Sequence, residues 1–201
     1  MYEITIRDRL LLLGTSLLAA FQIAAGLDGL PPLSIWIYTI GFGILLVACL
    51  LLIILGFEGL ESQAVVIVST AIPLCTSLGL VSVHLISALI PYLVFCIIGF
   101  SAISVTRITL AGKVPTIVLA LVHGLAGLTI IFVPIFTVFK GFSPAGYLLV
   151  SLGGALIGLG GLLLAFLRTG KPILSQKTIY QLLPVILFLM SLSFVGGFFF
   201  I

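Results

Sequence analysis

Long apolar runs, separated by short segments with polar residues, glycine or proline, follow one another along almost the whole chain. A run of roughly 17–25 apolar residues is long enough to cross a bilayer as a helix. Five runs have this length, namely 10–27, 35–57, 116–139, 145–167 and 180–201. The run from 64 to 106 is too long for one span, because as a single helix it would measure about 65 Å. We therefore predict two spans there, 64–82 and 87–107, with a turn near Ser82–Ser87, which makes seven spans.

The composition supports a membrane protein. The 201 residues are 62% hydrophobic and only 6% charged, whereas about 25% of the residues of a soluble domain are charged. With a mean hydropathy of +1.50, the chain has too few polar groups to cover a surface that faces water, so the bilayer must be its solvent. We predict an all-α fold, a single transmembrane domain over residues 1–201 with very short loops. The bacterial plasma membrane is the default location, with a thylakoid or organelle membrane as the alternative.

The basic residues predict the orientation of the spans. With the N-terminus in the cytoplasm and the C-terminus outside, only Lys140 lies on the outer side. The cytoplasmic side then carries the other seven basic residues, Arg7, Arg9, Arg107, Lys113, Arg168, Lys171 and Lys177. Arg7 and Arg9 before an apolar run also outline a signal peptide. Because the seven-span topology needs this segment, we expect it to be retained as a span.

Five glycines fall within residues 151–161, in the middle of the predicted sixth span. In lipid, glycine lets neighbouring helices approach closely, so these residues favour helix packing. One stripe comprises Gly154, Gly158, Gly161 and Ala165, and a second one comprises Gly146, Gly153 and Gly160. Ser16, Ala20 and Ala24 form a similar stripe on the first span, which predicts a contact between the first and sixth spans. The sixth span should then lie near the centre of the bundle, although a dimer contact or a groove for a ligand or pigment also fits.

No Asp, Glu, Lys or Arg lies in the middle of a predicted span, since Asp28, Glu58 and Glu61 fall in loops. This pattern argues against a proton relay or a cation carrier that uses a buried carboxylate. Cys49, Cys75 and Cys96 lack the spacing of a metal site, and no nucleophile or nucleotide-binding motif is present. We therefore expect no enzymatic activity, no bound metal, no cofactor and no nucleic-acid partner.

The third span concentrates hydroxyl groups around a proline. Pro73 cannot donate a backbone hydrogen bond to the carbonyl of Ser69, so it should kink the helix. Hydroxyl side chains surround this kink, namely those of Ser69, Thr70, Thr76 and Ser77. They predict either a midplane site for a neutral polar solute or hydroxyls that merely satisfy the kinked backbone. Gln22 in the first span is a further candidate, for the solute or for a bond between helices.

His123 is the single ionisable side chain deep in a predicted span, about 12 Å from its cytoplasmic end by helical rise. Gly124 and Gly127 leave space beside its ring. A neutral histidine bonded across helices, a contact with a solute or pore, and an axial ligand to a haem or chlorophyll are all compatible with this position. His84 lies at the outer end of the third span, where we expect a hydrated turn residue.

Two functions remain open from the sequence. The clustered hydroxyls, the kinking prolines and His123 favour a small permease or channel for a neutral or weakly polar solute. The glycine-rich sixth span, with no charged functional residue, favours a non-catalytic membrane subunit or assembly partner. In the second case that span would contact another copy of the chain or a different membrane protein, and in both cases the lipid bilayer is the surrounding partner.

Overall fold

The computed structural model describes residues 3–27, 29–168 and 172–201. The described residues form eight α-helices: α1 (Ile6–Ala25), α2 (Pro32–Leu55), α3 (Gln63–Ser69), α4 (Ala71–His84), α5 (Leu89–Thr109), α6 (Val114–Phe139), α7 (Leu148–Arg168) and α8 (Gln176–Phe198). Short 3₁₀ segments cover Gly56–Glu61, Ile86–Ala88 and Ala145–Tyr147. No strand is present in these ranges. Asp28 and Lys171, which the sequence places in loops, lie outside the described residues.

The helices confirm the all-α prediction and the expected number of helices that are long and apolar enough to span a membrane. Within the described ranges, seven helical segments are long and apolar enough to cross a membrane, with α3 and α4 together forming the third. The turn predicted near Ser82–Ser87 lies at Leu85, which leaves the helical region with φ −134°. Most helices begin or end a few residues away from the predicted span boundaries. For example, α1 begins at Ile6, inside the charged N-terminal segment, and α8 begins at Gln176. The orientation of the bundle in the membrane stays a prediction.

Local sequence explains where several helices begin and end. Thr5 and Asp8 form a reciprocal cap at the start of α1: the Thr5 amide donates to Asp8 Oδ2 at 2.9 Å, and the Asp8 amide donates to Thr5 Oγ1 at 3.2 Å. This arrangement satisfies backbone N–H groups that the first helical turn leaves free. Gly26 and Gly56 follow α1 and α2 with φ of 69° and 70°, a conformation that glycine adopts without steric cost.

Two helices form most of the interior of the bundle. Helix α8 packs against α1 and α7, while α4 packs against α2 and α6. The third span and α8 are the most buried of the seven spans. The glycine-rich α7 contacts mainly α6 and α8, so the expectation that it lies at the centre is wrong. Helices α1 and α7 each pack against α8 and are not in extensive contact with each other among the described residues, so the contact predicted between the first and sixth spans is not found.

Candidate functional site

A groove of about 480 Å³ lies between α2 and α3 and is partly open at the lateral surface of the helix bundle. This volume lies within the range of about 300–1,000 Å³ that is usual for ligand pockets. Representative lining residues are Gly43 and Leu51 of α2, Gly59 of the 3₁₀ segment, and Ala64, Val68 and Ser69 of α3. Among the described residues that line the groove, only Ser69 carries a polar side chain. The groove therefore suits a ligand with a large apolar part.

A break in the third span lies at one end of this groove. Helix α3 ends at Ser69 and α4 begins at Ala71, four residues and two residues before Pro73 respectively. The amide of Thr70 approaches two carbonyls, those of Val66 and Ile67, both at 3.2 Å. Pro73 leaves the carbonyl of Ser69 without its usual helical donor. The predicted kink is thus a short interruption of the helix, and Ser69 lies at both the break and the groove.

The other hydroxyls predicted for a solute site are buried and donate along their own helix. Thr70 Oγ1 donates to the Val66 carbonyl at 2.9 Å, Thr76 Oγ1 to the Ile72 carbonyl at 2.9 Å, and Ser77 Oγ to the Leu74 carbonyl at 3.0 Å. Ser69 Oγ likewise donates to the Val66 carbonyl at 3.1 Å. These bonds correspond to the second sequence-based reading, in which hydroxyls satisfy the backbone near a break. Of the four, Ser69 is the one that also lines the groove.

Gln22 lies apart from this region, near the end of α1. Its side-chain Nε2 donates to the carbonyl of Gly26 at 3.1 Å, so it closes the end of its own helix. It also lines a small cavity of about 10 Å³ together with Tyr38 and Thr39. A space of this size is at the lower limit for one water molecule. The structure therefore does not bring Gln22 together with Ser69 or His123.

His123 is half-buried on α6. Its Nδ1 is enclosed by the protein and has no hydrogen-bond partner among the described residues. A Cβ atom added to the exposed Gly124 or to the buried Gly127 would meet no atom within 4 Å, so both positions leave space on this helix. The groove lies on α2 and α3, whereas His123 lies near α5.

The small residues of α7 separate into packed and open positions. A Cβ atom added to Gly154 would lie 2.7 Å from Ile130 Cγ2, whereas one added to Gly158 or Gly161 would meet nothing within 4 Å. Ala165 is half-buried. The second glycine stripe faces α8, with Gly153 against Phe194 and the other two members, Gly146 and Gly160, against Phe200 and Ile186. On α1, Ser16 is buried, Ala20 is half-buried and Ala24 is exposed.

The sequence reading missed the polar contacts that join different helices. His84 Nε2 and the Tyr147 hydroxyl lie 2.8 Å apart, so the expectation of a hydrated turn residue at His84 is wrong. Ser34 and Ser82 join α2 to α4 with hydroxyl oxygens 2.8 Å apart, and Tyr92 donates to Thr129 Oγ1 at 3.0 Å between α5 and α6. The partners are 37 to 63 residues apart along the chain, and no local pattern marks such pairs.

No family model, no curated protein and no solved structure matches this chain. The seven long apolar helices identify it as a multi-pass membrane protein. Within the described residues, no group of three or more His, Cys, Asp or Glu side chains is arranged to hold a metal ion. The α2–α3 groove and the surface around His123 are thus the two places whose geometry bears on function.

Proposed function

We propose that the chain is a small permease that takes a weakly polar solute with an apolar body from the bilayer into the groove between α2 and α3. The observation that carries this proposal is the groove itself, which combines a volume of about 480 Å³ with an outer opening and an almost entirely apolar lining. A solute dissolved in the hydrocarbon would reach it from the side. The proposal involves no enzymatic step.

The break between α3 and α4 supports this choice. Interrupted helices near the middle of the membrane are a common feature of transporter binding sites, because they leave backbone groups available to a solute. Ser69 lies at this break and is among the residues that line the groove. Compared with the site predicted from the sequence, the proposed one keeps Ser69. It leaves out Thr70, Thr76, Ser77 and Gln22, which do not line the groove.

Filling the groove should abolish transport. Gly43 lies on α2 at the groove, and a Cβ atom there would meet nothing within 4 Å. The substitution Gly43→Leu should therefore fold and occupy part of the cavity. In proteoliposomes, we expect the native chain to accelerate osmotic swelling with 1,2-hexanediol, whose tail is apolar, several-fold over empty vesicles, as measured by stopped-flow light scattering. The variant should swell at nearly the rate of empty vesicles.

Gly158→Leu is the matched control, because it makes the same change in equally open space on α7. Its swelling rate should equal that of the native chain. If the native chain and Gly43→Leu gave equal swelling rates at equal amounts of inserted protein, the groove would not be the path of the solute. A native chain that does not accelerate swelling with 1,2-hexanediol would contradict the permease proposal.

A second candidate function, a subunit of a larger membrane assembly, is favoured by a different observation. Gly158 and Gly161 are exposed on α7 with open space around them. Small residues on a lipid-facing surface allow another helix to approach closely. Helix α3 also has no buried residue, so it is weakly packed within its own chain.

The subunit hypothesis predicts that Gly158→Leu releases a partner. Native mass spectrometry of the particle extracted in mild detergent from its own membranes should then show a second polypeptide, or a second copy, at fixed stoichiometry. That species should be lost in Gly158→Leu and retained in Gly43→Leu, which is the reverse of the pattern expected for transport. A lone chain of 21.2 kDa in the native extract would exclude this candidate.

A further inference from the structure

Hydrogen-bond donors are in excess at one carbonyl beside the break between α3 and α4. The Val66 carbonyl accepts from the Thr70 amide at 3.2 Å, from Thr70 Oγ1 at 2.9 Å and from Ser69 Oγ at 3.1 Å. A carbonyl oxygen has two lone pairs, so these donors exceed what it can accept. Of the two residues that donate, Ser69 is the one that lines the groove. Its hydroxyl can therefore turn to a ligand with little loss of hydrogen bonding.

The carbonyl of Ser69 has the opposite imbalance. Among the described residues, the backbone hydrogen bonds that cross the break lead to carbonyls other than that of Ser69. Pro73, whose position would supply the donor in an unbroken helix, has no N–H. A backbone carbonyl without a donor is unfavourable where no water is present. Ser69 thus combines a surplus donor and an acceptor that lacks a donor in one residue of the groove.

The break lies within the hydrocarbon layer. Ser69 is about 9 Å along the third span, counted from Gln63, and the 22 residues of this span measure about 33 Å. Gly41 lies about 14 Å along α2, and a Cβ atom added to it would be 3.0 Å from Cys75 Cβ in the first turns of α4. The described residues that line the groove carry no charge. A charged head at Ser69 would therefore leave water without gaining an ionic partner, which is costly.

The groove is long in the direction of α2. Its lining residues on this helix recur every three or four positions from Ile40 to Leu55, so they follow one face of α2 over about 22 Å. On the other side the groove is lined by α3 from Ala64 to Ser69. A long apolar groove with its polar residue at the end of α3 suits an unbranched chain that carries one small head.

We propose that the groove selects a neutral, unbranched alcohol and that Ser69 determines this specificity. A hydroxyl group both donates and accepts, so the head can donate to the Ser69 carbonyl and accept from Ser69 Oγ. An ether or a ketone only accepts, and it would leave the carbonyl without a donor. A carboxylate would in addition bring a charge into the hydrocarbon layer. The inference rests on the groove as the solute site of the proposed permease, and it adds the chemical class of the solute.

Binding of ³H-decan-1-ol tests this specificity without requiring transport. The full chain is placed in phosphatidylcholine nanodiscs, whose lipid has no hydroxyl group, and bound alcohol is measured by scintillation proximity. Gly43→Leu, which fills the groove, defines the binding outside it. We expect a saturable component in the native chain that is absent in Gly43→Leu. Unlabelled decan-1-ol should displace it, whereas decyl methyl ether and decanoate, which have the same tail, should compete at least threefold more weakly.

Two variants separate the two hydrogen bonds of Ser69. Ser69→Ala should weaken the binding of decan-1-ol roughly threefold, the average effect of a side-chain hydrogen bond in a membrane protein. Ser77→Ala should not, because it is the same change at a hydroxyl outside the groove. Pro73→Ala supplies an N–H for the Ser69 carbonyl, so it should reduce the preference for the alcohol over the ether.

Four results would each overturn the inference. They are equal binding by the native chain and Gly43→Leu, competition by the ether or by decanoate as strong as that by decan-1-ol, unchanged binding in Ser69→Ala, and an unchanged preference for the alcohol in Pro73→Ala. Failure of the proposed permease is seen separately, as a native chain that does not accelerate swelling with 1,2-hexanediol.

Discussion

The substitution Gly197→Ala is expected to destabilise the protein by about 1–3 kcal/mol, the usual cost of overpacking a well-packed interior. Gly197 lies near the end of α8, where this helix meets the start of α7. A Cβ atom at this position would lie 2.6 Å from Val150 Cγ2 and 2.7 Å from the backbone nitrogen of Val150. A side chain can rotate away, but a backbone atom within a helix moves only if the whole helix moves. The two helices would therefore have to separate.

Unfolding in mixed micelles with increasing SDS, followed by circular dichroism, measures this loss. Gly196→Ala is the matched control, because a Cβ atom there would lie 3.4 Å from Leu149 Cδ1, an ordinary contact with a movable side chain. Its unfolding midpoint should stay close to that of the native chain. Equal midpoints for Gly197→Ala and Gly196→Ala would show that α7 and α8 are less closely packed at this point than the structure has them.

Tyr147→Phe is expected to lower the free energy of unfolding by about 1 kcal/mol, toward the upper part of the range measured for side-chain hydrogen bonds in membranes. Tyr147 is fully buried, and its hydroxyl lies 2.8 Å from His84 Nε2. Removing the hydroxyl leaves the histidine nitrogen without this partner, and an unsatisfied polar group inside a protein is costly. In a double-mutant cycle with His84→Ala, the interaction energy between the two side chains should account for most of this loss.

Tyr92→Phe provides the comparison, because it removes a hydrogen bond without leaving a group unsatisfied. The Tyr92 hydroxyl donates to Thr129 Oγ1, and Thr129 itself donates to the Leu125 carbonyl at 2.9 Å. We expect a smaller loss there than at Tyr147, measured in the same SDS titration. A Tyr147→Phe variant as stable as the native chain would mean that the His84–Tyr147 contact contributes nothing net to the fold.

The sequence predicted the spans well because their cause is local. A bilayer requires about 20 apolar residues in a helix whatever the rest of the chain does, so the seven long helices could be found from hydropathy alone. The break at Thr70 was also predictable in outline, since Pro73 removes a backbone donor wherever it stands in a helix. Both inferences depend on residues within one or two turns of each other.

Which helices pack against each other could not be predicted in the same way. Glycine marks where a close approach is possible, but it does not say from which side a neighbour comes. Gly154 faces Ile130, while Gly158, one turn along the same stripe, faces open space. The prediction of the candidate site had the same limitation. The hydroxyls near Pro73 could be located from the sequence, but the direction of each donor depends on χ1 and on the backbone around the break.

The hydroxyls that donate within their own helix have a consequence for how the protein is made. Helix α1 packs against α8, but the 150 residues from Gly26 to Ser175 separate the two. At about 5–20 residues per second, α1 waits in the membrane for on the order of 10 s before α8 is synthesised. During that time Thr15 and Ser16 already donate to the carbonyls of Leu11 and Leu12, both at 2.9 Å. The nascent helix thus exposes no unsatisfied hydroxyl donor at these positions to lipid, and it can remain inserted until its late partner arrives.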